Sequence, residues 1–255
     1  MKAMVLAAGL GTRLRPLTSG RPKALVEVAG RTLLEITLAR LREFGVHEAI
    51  VNVHHYADMV VDYLRTHQNF GMRIEISRED DELLDTGGGL KHAAWFFQEK
   101  LGNGPARTDE PFLLHNVDVI SRIDLRAMIE VHRERGALAT LAVQQRPTSR
   151  YLMFDDQSQL CGRRSGPESS PVEWARQSRN AQALAFSGIH IISPRIFELM
   201  NEQGAFSIVS AYLRLAGQGE KILAFRADGS YWRDLGRPEN VQQAAEDYKH
   251  GLWSL

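Results

Sequence analysis

The chain has 255 residues, 44% of them hydrophobic, enough to bury a substantial core and to exclude disorder or a fibrous repeat. Its 31 basic residues balance 31 acidic ones, so no global positive field gathers nucleic acid or an anionic membrane, and any anion site must be local. Cys161 is the lone cysteine, which excludes an internal disulfide and a thiol-pair metal site and points to a reducing, cytoplasmic setting. The apolar start of MKAMVLAAGLGTRLRP is broken by glycine and arginine before it reaches signal-peptide or bilayer length. The expectation is a cytoplasmic protein with no nucleic-acid or membrane partner, a monomer or small homo-oligomer.

In chain order, Val5 to Ala8 reads as a short buried strand running into a glycine-rich turn. Leu34, Leu38 and Leu41 then recur at the spacing of an amphipathic helix that Gly45 stops. Ala49 to Val53 is a second β-rich run, Asp58 to His67 a helix, and Arg73 to Ser77 alternates like a strand. After the glycines Gly87 to Gly89 comes a helical stretch with His92, Trp95 and Phe96. Phe112 to His115 is a buried strand and Arg126 to Arg135 a helix. Strands alternating with helices in this way predict a doubly wound, Rossmann-like α/β fold with a mostly parallel sheet. The second half is more mixed: Ala137 to Gln144, Tyr151 to Phe154, Gln159 to Arg163 and Leu184 to Ile192 all read as strands. Asp155-Asp156 offers a hairpin turn, Ser193-Pro194 a helix start, and the polar, proline-bearing stretch 163–182 a candidate lid. No composition break divides residues 1–255, which are read as one domain whose C-terminal part closes over the first half.

The strongest local signal is Leu6-Ala7-Ala8-Gly9-Leu10-Gly11-Thr12-Arg13, directly after a predicted strand. Its small residues let a ligand approach the backbone, and its N–H groups can converge on phosphate oxygens. Arg13, Arg15, Arg21 and Lys23 then cluster in an otherwise neutral protein, supplying the local positive charge a triphosphate needs. Two better-known phosphate loops fail on the same residues. A dinucleotide fingerprint needs a third glycine where Leu14 stands, and a Walker A loop needs Gly-Lys-Ser/Thr after four variable positions.

LAAGLGTRLRPLT followed by RPKAL resembles the signature of the sugar-phosphate nucleotidyltransferases, also called sugar-nucleotide pyrophosphorylases. The resemblance implies a fold of the nucleotide-diphospho-sugar transferase type, with an NTP and a sugar 1-phosphate as partners. It implies that Ala7, Ala8 and Gly9 face the nucleobase, that Gly11, Thr12 and Arg13 hold the triphosphate, and that Arg13 and Lys23 act on the reacting phosphates. Leu84-Asp85-Thr86-Gly87-Gly88-Gly89 matches a family segment in which Gly87 and Gly88 border the base. Asp118 ends the strand run Phe112 to Val117, at the carboxyl edge where open α/β sheets bind ligands, and Asp234 stands in Trp232-Arg233-Asp234-Leu235-Gly236. By resemblance these two acids bind Mg2+, a hard cation that prefers oxygen ligands. Asn116 and Gly188, the latter within Phe186-Ser187-Gly188-Ile189, are assigned to the sugar phosphate on the same ground.

The implied step is in-line attack by a sugar-phosphate oxygen on the α-phosphorus of the NTP, with magnesium assisting and no covalent intermediate. The length and LDTGGG segment look most like N-acetylmuramate-1-phosphate uridylyltransferases of cell-wall recycling, with mannose-1-phosphate guanylyltransferases next, and UTP is the preferred nucleotide. Three departures stand out. Val117 occupies a place where many relatives have glycine. The Glu-Lys-Pro motif with its second phosphate-binding lysine is absent, leaving Arg150 or Arg163 as candidate substitutes. No hexapeptide acyltransferase module follows. The first two motivate an alternative, a non-catalytic nucleotide-sugar sensor on the same fold. A cytidylyltransferase acting on a non-sugar phosphate is a further alternative.

Overall fold

The computed structural model describes residues 1–98 and 109–254. Its first half runs β1 (Lys2–Leu6), β2 (Glu27–Val28), β3 (Arg31–Thr32), α1 (Leu33–Glu43), β4 (Glu48–Val53), α2 (Ala57–Thr66), β5 (Arg73–Arg78), α3 (Asp85–His92) and α4 (Ala94–Gln98). The middle comprises β6 (Phe112–Asn116), β7 (Val119–Ser121), α5 (Leu125–Arg135), β8 (Ala139–Gln144), β9 (Arg150–Phe154), β10 (Leu160–Ser165), β11 (Val172–Trp174) and β12 (Gln182–Ile192). Last come α6 (Ile196–Leu199), α7 (Ile208–Gly217), β13 (Ile222–Arg226), β14 (Trp232–Asp234) and α8 (Pro238–Lys249).

Ten strands form one sheet, in the order β11-β10-β9-β12-β6-β1-β4-β5, with β8 beside β12 and β13 beside β8. β1 pairs in parallel with β4 and β6, and β4 with β5, whereas β12 is antiparallel to β6, β8 and β9. The sheet is thus parallel where the sequence alternates strand and helix, and antiparallel where strands follow one another directly.

Alternation along β1 divides the core. Ala3 and Val5 face Leu34, Leu38 and Leu41 of α1 with α5 and α8, while Met4 and Leu6 face Leu90, Phe96 and the α7 residues Ala211, Tyr212 and Leu215. Two apolar faces covered by helices are what a doubly wound sheet requires. Burial of each α1 leucine is worth about 2 kcal/mol, and the helix ends are specified locally. Thr32 accepts a hydrogen bond from the Glu35 amide at the start. At the end, left-handed Gly45 lets Val46 bond back to the Leu41 carbonyl.

Several boundaries differ from the sequence reading. β1 stops at Leu6, which leaves Ala7 and Ala8 in the turn. The glycines Gly87 to Gly89 lie inside α3 rather than ahead of the helix. Ser193-Pro194 form a turn leading into the single-turn α6, whose first residue is Ile196. The 155–159 hairpin turn is longer than the Asp155-Asp156 pair, closed by the Asp155 carboxylate accepting from the Gln157 and Gln159 amides. Within the stretch 163–182, β10 continues to Ser165 and β11 pairs against it. Among the described residues, no helix is long and apolar enough to cross a membrane.

Candidate active site

The turn after β1 is held from both sides. The Ala7 amide donates to Asn52 Oδ1 (2.7 Å), Asn52 Nδ2 donates to Glu79 Oε1 (2.7 Å), and Glu79 Oε2 accepts from the Leu84 amide (2.9 Å). Glu79 is only 2% exposed, and it ties the glycine turn to the start of α3. Gly11 adopts a left-handed conformation (φ 63°), and a Cβ there would stand 3.0 Å from Thr18 and 3.2 Å from Lys23. Glycine is therefore required by both backbone and packing. Thr12 and Arg13 follow in a single exposed 3-10 turn.

Lys23 opens a second short turn and crosses to the end of β6, where its Nζ lies 3.0 Å from Asp118 Oδ2. Burial opposes the charged form of Asp118, but the Lys23 ammonium outweighs it, with Arg13 adding to the effect, and the carboxyl is held below its usual range. Val117 is 1% exposed and packs in the core beneath the sheet, with its amide donating to the Leu6 carbonyl.

Asp234 reaches the same place from the far end of the chain. β14 pairs antiparallel with β7, setting Asp234 opposite Val119, and the Leu235 amide donates to the Asp118 carbonyl at 2.7 Å. Asp234 Oδ1 accepts from the Gly236 amide (2.6 Å). A Cβ on Gly236 would lie 2.7 Å from that oxygen and 3.0 Å from Arg13 Nη2, so the glycine admits both groups.

Beside them opens a cavity of about 370 Å³, bordered by Arg13, Asn116, Gly188 and Asp234 among others. Gly188 sits at a register shift in β12 with φ 74°, where a Cβ would strike Asn116 Nδ2 at 2.8 Å. The bulge thus brings the two predicted sugar-phosphate residues together. Arg146, which the sequence reading missed, stacks 3.6 Å from the Trp232 ring and donates to the Phe186 carbonyl. Burial lowers its pKa from the usual arginine value, with Asp234 acting in the opposite direction. Trp232 in turn donates to the Ser187 carbonyl.

Arg13, Lys23, Asn116, Asp118, Gly188 and Asp234 therefore converge. Gly87 and Gly88 do not border this cavity. Their amides donate to the Phe206 carbonyl, and their Cβ directions are filled by Phe206 and the Gly204 carbonyl. Close packing of α3 against the segment before α7 accounts for those two glycines. Buried His115 and His190 are pushed down to about 4 and about 3, chiefly by burial, and are neutral near pH 7.

Among the described residues, no group of three or more His, Cys, Asp and Glu side chains gathers as a metal site. Asp118, in the turn between β6 and β7, and Asp234, on β14, each keep one carboxylate oxygen outside the contacts above. That donor pair suits a hard cation completed by phosphate and water oxygens, as magnesium prefers.

The mixed sheet, with its glycine turn after β1 and two acids brought together by the β7–β14 pairing, is the framework of a nucleotidyltransferase. Residues 2–251 match the family described as Nucleotidyl transferase, and the chain belongs to that family. It is 36% identical over 249 residues to the N-acetylmuramate alpha-1-phosphate uridylyltransferase of Caulobacter vibrioides, covering 96% of this chain and 95% of that one. It is 30% identical to the UTP–glucose-1-phosphate uridylyltransferase of Synechocystis, covering 96% of this chain and 62% of the relative, which is a longer protein. Among solved structures, the UDP-glucose pyrophosphorylase of Acinetobacter baumannii matches with a TM-score of 0.77 at 19% identity, covering 98% of this chain and 94% of that one. At that identity the match speaks for the fold.

Proposed function

We propose that the chain is a magnesium-dependent, single-domain enzyme that transfers a nucleotidyl group to a sugar 1-phosphate, with UTP as its preferred donor. The observation that carries this reading is the convergence of Lys23, Asp118 and Asp234, from three separate segments, beside the glycine turn, with Asp234 at the rim of a cavity. A sugar-phosphate oxygen attacks the α-phosphorus, the bond between the α-phosphorus and its bridging oxygen to the β-phosphorus breaks, and pyrophosphate leaves. Both reactants are anions, so the side chains' task is to suppress repulsion, align the groups and stabilise charge developing on phosphate oxygens. Arg13 and Lys23 supply fixed positive charge, Gly11 lets the triphosphate approach the backbone, and Gly9 faces the base. Asp118 and Asp234 would hold magnesium, which supplies Lewis-acid stabilisation when bound. No side-chain nucleophile is needed, and the buried neutral histidines stand apart from the step.

Val117 is buried in the core and is not among the residues that border the cavity, which weakens one motive for a sensor reading. The Caulobacter relative, similar along nearly its whole length, is named for uridylyl transfer, which supports UTP as the donor. Pyrophosphate release, measured with each of the four common NTPs against a panel of sugar 1-phosphates, tests the proposal. The expected result is magnesium-dependent release, fastest with UTP and abolished by chelator. Nucleotide binding without release for any pair contradicts it.

A further inference from the structure

Arg146 is held rigidly at the cavity rim by groups that carry no charge. It follows the end of β8, where Gln144 Nε2 donates to the Ala227 and Ser230 carbonyls and the Gln145 amide donates to Asp228 Oδ1, so the segment that carries it is pinned. Its guanidinium lies 3.6 Å over the Trp232 ring, and its Nη2 donates to the Phe186 carbonyl at 2.7 Å. Trp232 Nε1 donates to the next carbonyl, that of Ser187. Both carbonyls lie where β12 leaves its register with β8, just before Gly188. Cation and ring are thus fixed to one bulge, and the plane of the guanidinium is set before any ligand binds.

Trp232 and Asp234 stand two residues apart on β14 and so share a face, while Arg233 between them turns to Asp247 at 2.7 Å. Stacking on Trp232 therefore sets Arg146 beside Asp234, and both border the cavity together with Asn116 and Gly188. The guanidinium nevertheless forms no ion pair among the described residues, although the Asp234 charge favours its charged form against burial. Its Nε is buried without a partner, and its Nη1 forms no hydrogen bond among the described residues. A half-buried cation held by a neutral carbonyl and a ring lacks the counter-charge that ordinarily offsets burial. The remaining donors suit an anion that arrives with a substrate. Neighbouring arginines are placed differently: Arg13 belongs to the glycine-turn side of Asp234, Arg163 pairs with Glu173, and Arg150 is exposed.

We infer that Arg146 is a catalytic residue, binding the phosphate of the acceptor beside Asp234 and aiming its attacking oxygen at the α-phosphorus, with Trp232 as the platform that holds the guanidinium. It thereby fills the role for which the sequence offered Arg150 or Arg163. The inference rests on the nucleotidyl-transfer reading for the identity of both reactants. One oxygen–phosphorus bond forms as the bridge between the α- and β-phosphorus breaks, and pyrophosphate takes the leaving electron pair. Arg146 exchanges no proton, since an arginine stays protonated. Its contribution is to offset repulsion between two anions and to fix the direction of approach. The rival assignment makes Arg146 a prop that holds Trp232, and through β14 Asp234, without touching a substrate.

The test compares the wild type with Arg146→Met, Arg146→Lys, Arg150→Gln and Arg163→Gln, using circular dichroism as a fold control. Calorimetry measures binding of a UTP analogue with a methylene bridge between the α- and β-phosphorus, in the presence of magnesium. It then measures binding of an acceptor to that complex, the probe being whichever of glucose 1-phosphate, mannose 1-phosphate and N-acetylglucosamine 1-phosphate the wild type binds most tightly. Arg146→Met is expected to weaken the acceptor probe by about ten- to a hundredfold while leaving the UTP analogue within about twofold. Arg146→Lys should recover part of the loss, because the charge remains and the planar stack does not. An Arg146→Met variant that binds the acceptor probe as the wild type does overturns the inference. So does one that weakens the UTP analogue as much as the acceptor, which is the signature of a prop, or a larger acceptor loss in Arg150→Gln or Arg163→Gln. Pyrophosphate release separates the two readings. Acceptor binding that depends on Arg146 in a wild type that releases none contradicts the nucleotidyl-transfer reading alone, and release that Arg146→Met leaves unchanged contradicts this inference alone.

Discussion

Lys23 Nζ lies 3.0 Å from Asp118 Oδ2, joining the turn that follows the glycine loop to the carboxyl end of the central strand β6. The pair brings a cation and a carboxylate together before any substrate arrives. Lys23→Met should lower kcat by about 10²- to 10³-fold if the ammonium acts mainly in the transition state. It should also raise the Asp118 pKa, because the charge that outweighs burial is gone. Steady-state kinetics with circular dichroism as a fold control check the first, and the pH dependence of metal binding checks the second.

Glu79 holds Asn52 and the Leu84 amide, and Asn52 holds the Ala7 amide. Glu79→Ala leaves two buried donors without partners, at about 1–3 kcal/mol each, and frees the glycine turn from α3. The expected outcome is a lower Tm and an NTP KM raised at least about tenfold, since a shift of about 1 Å at a phosphate-binding backbone costs that much or more. The acceptor KM should move little. An unchanged NTP KM would show that the turn keeps its shape without this relay.

Gly188→Ala places a Cβ 2.8 Å from Asn116 Nδ2 at a φ of 74°. Backbone strain and displacement of Asn116 together should cost about 2–3 kcal/mol, lowering Tm by roughly 4–12 °C at the sensitivity usual for this size. Gly30, also at positive φ but with open space around its Cβ direction, serves as the control, because Gly30→Ala carries only the backbone part. Differential scanning calorimetry of the two variants separates strain from collision.

Legibility in the sequence tracked locality. The glycine turn, Arg13 and Lys23 lie in one short run, so their chemistry could be read together, and the alternation of strands and helices carried the fold class. Asp118 stands out in the sequence as the acid that ends a predicted strand, but its link to Asp234 comes only through family motifs, because what joins them is the β7–β14 pairing across the chain. Glu79, Asn52 and Arg146 have no local signature at all: a buried carboxylate, an amide and a stacked guanidinium acquire roles from tertiary neighbours. The Gly87 to Gly89 run was read as making room for a base. Helix propensity argues against glycine inside a helix, yet close approach of the Phe206 and Gly204 carbonyls requires it there for Gly87 and Gly88. α7 and α8 were not among the predicted elements, although Ser207 caps the first and Pro238 opens the second.

Stability should fall on mild acidification. His115 and His132 are depressed to about 4 and His190 to about 3, each chiefly by burial. A histidine whose folded pKa lies below its unfolded value binds more protons unfolded than folded between the two. Its contribution is therefore complete above the unfolded value of about 6.5 and is lost as pH falls towards the folded one. Urea unfolding at pH 7, 6 and 5 should show a steepening loss, approaching about 1.4 kcal/mol per pH unit for each fully titrating histidine. His132→Gln, remote from the cleft and bonded to Thr140, should flatten that slope. A pH-independent stability across this range would contradict the burial of neutral imidazoles.

The central claim is that Asp118 and Asp234 belong to one centre that moves the α-phosphorus of an NTP onto a sugar phosphate. Its most direct test follows the label of α-³²P-UTP, with magnesium and a panel of sugar 1-phosphates, in wild type, Asp118→Ala and Asp234→Ala. The account predicts label in a sugar nucleotide for the wild type and a loss of at least about 10²-fold in either variant. Label that stays in UTP or UMP with every acceptor, or transfer that survives removal of either acid, would contradict it.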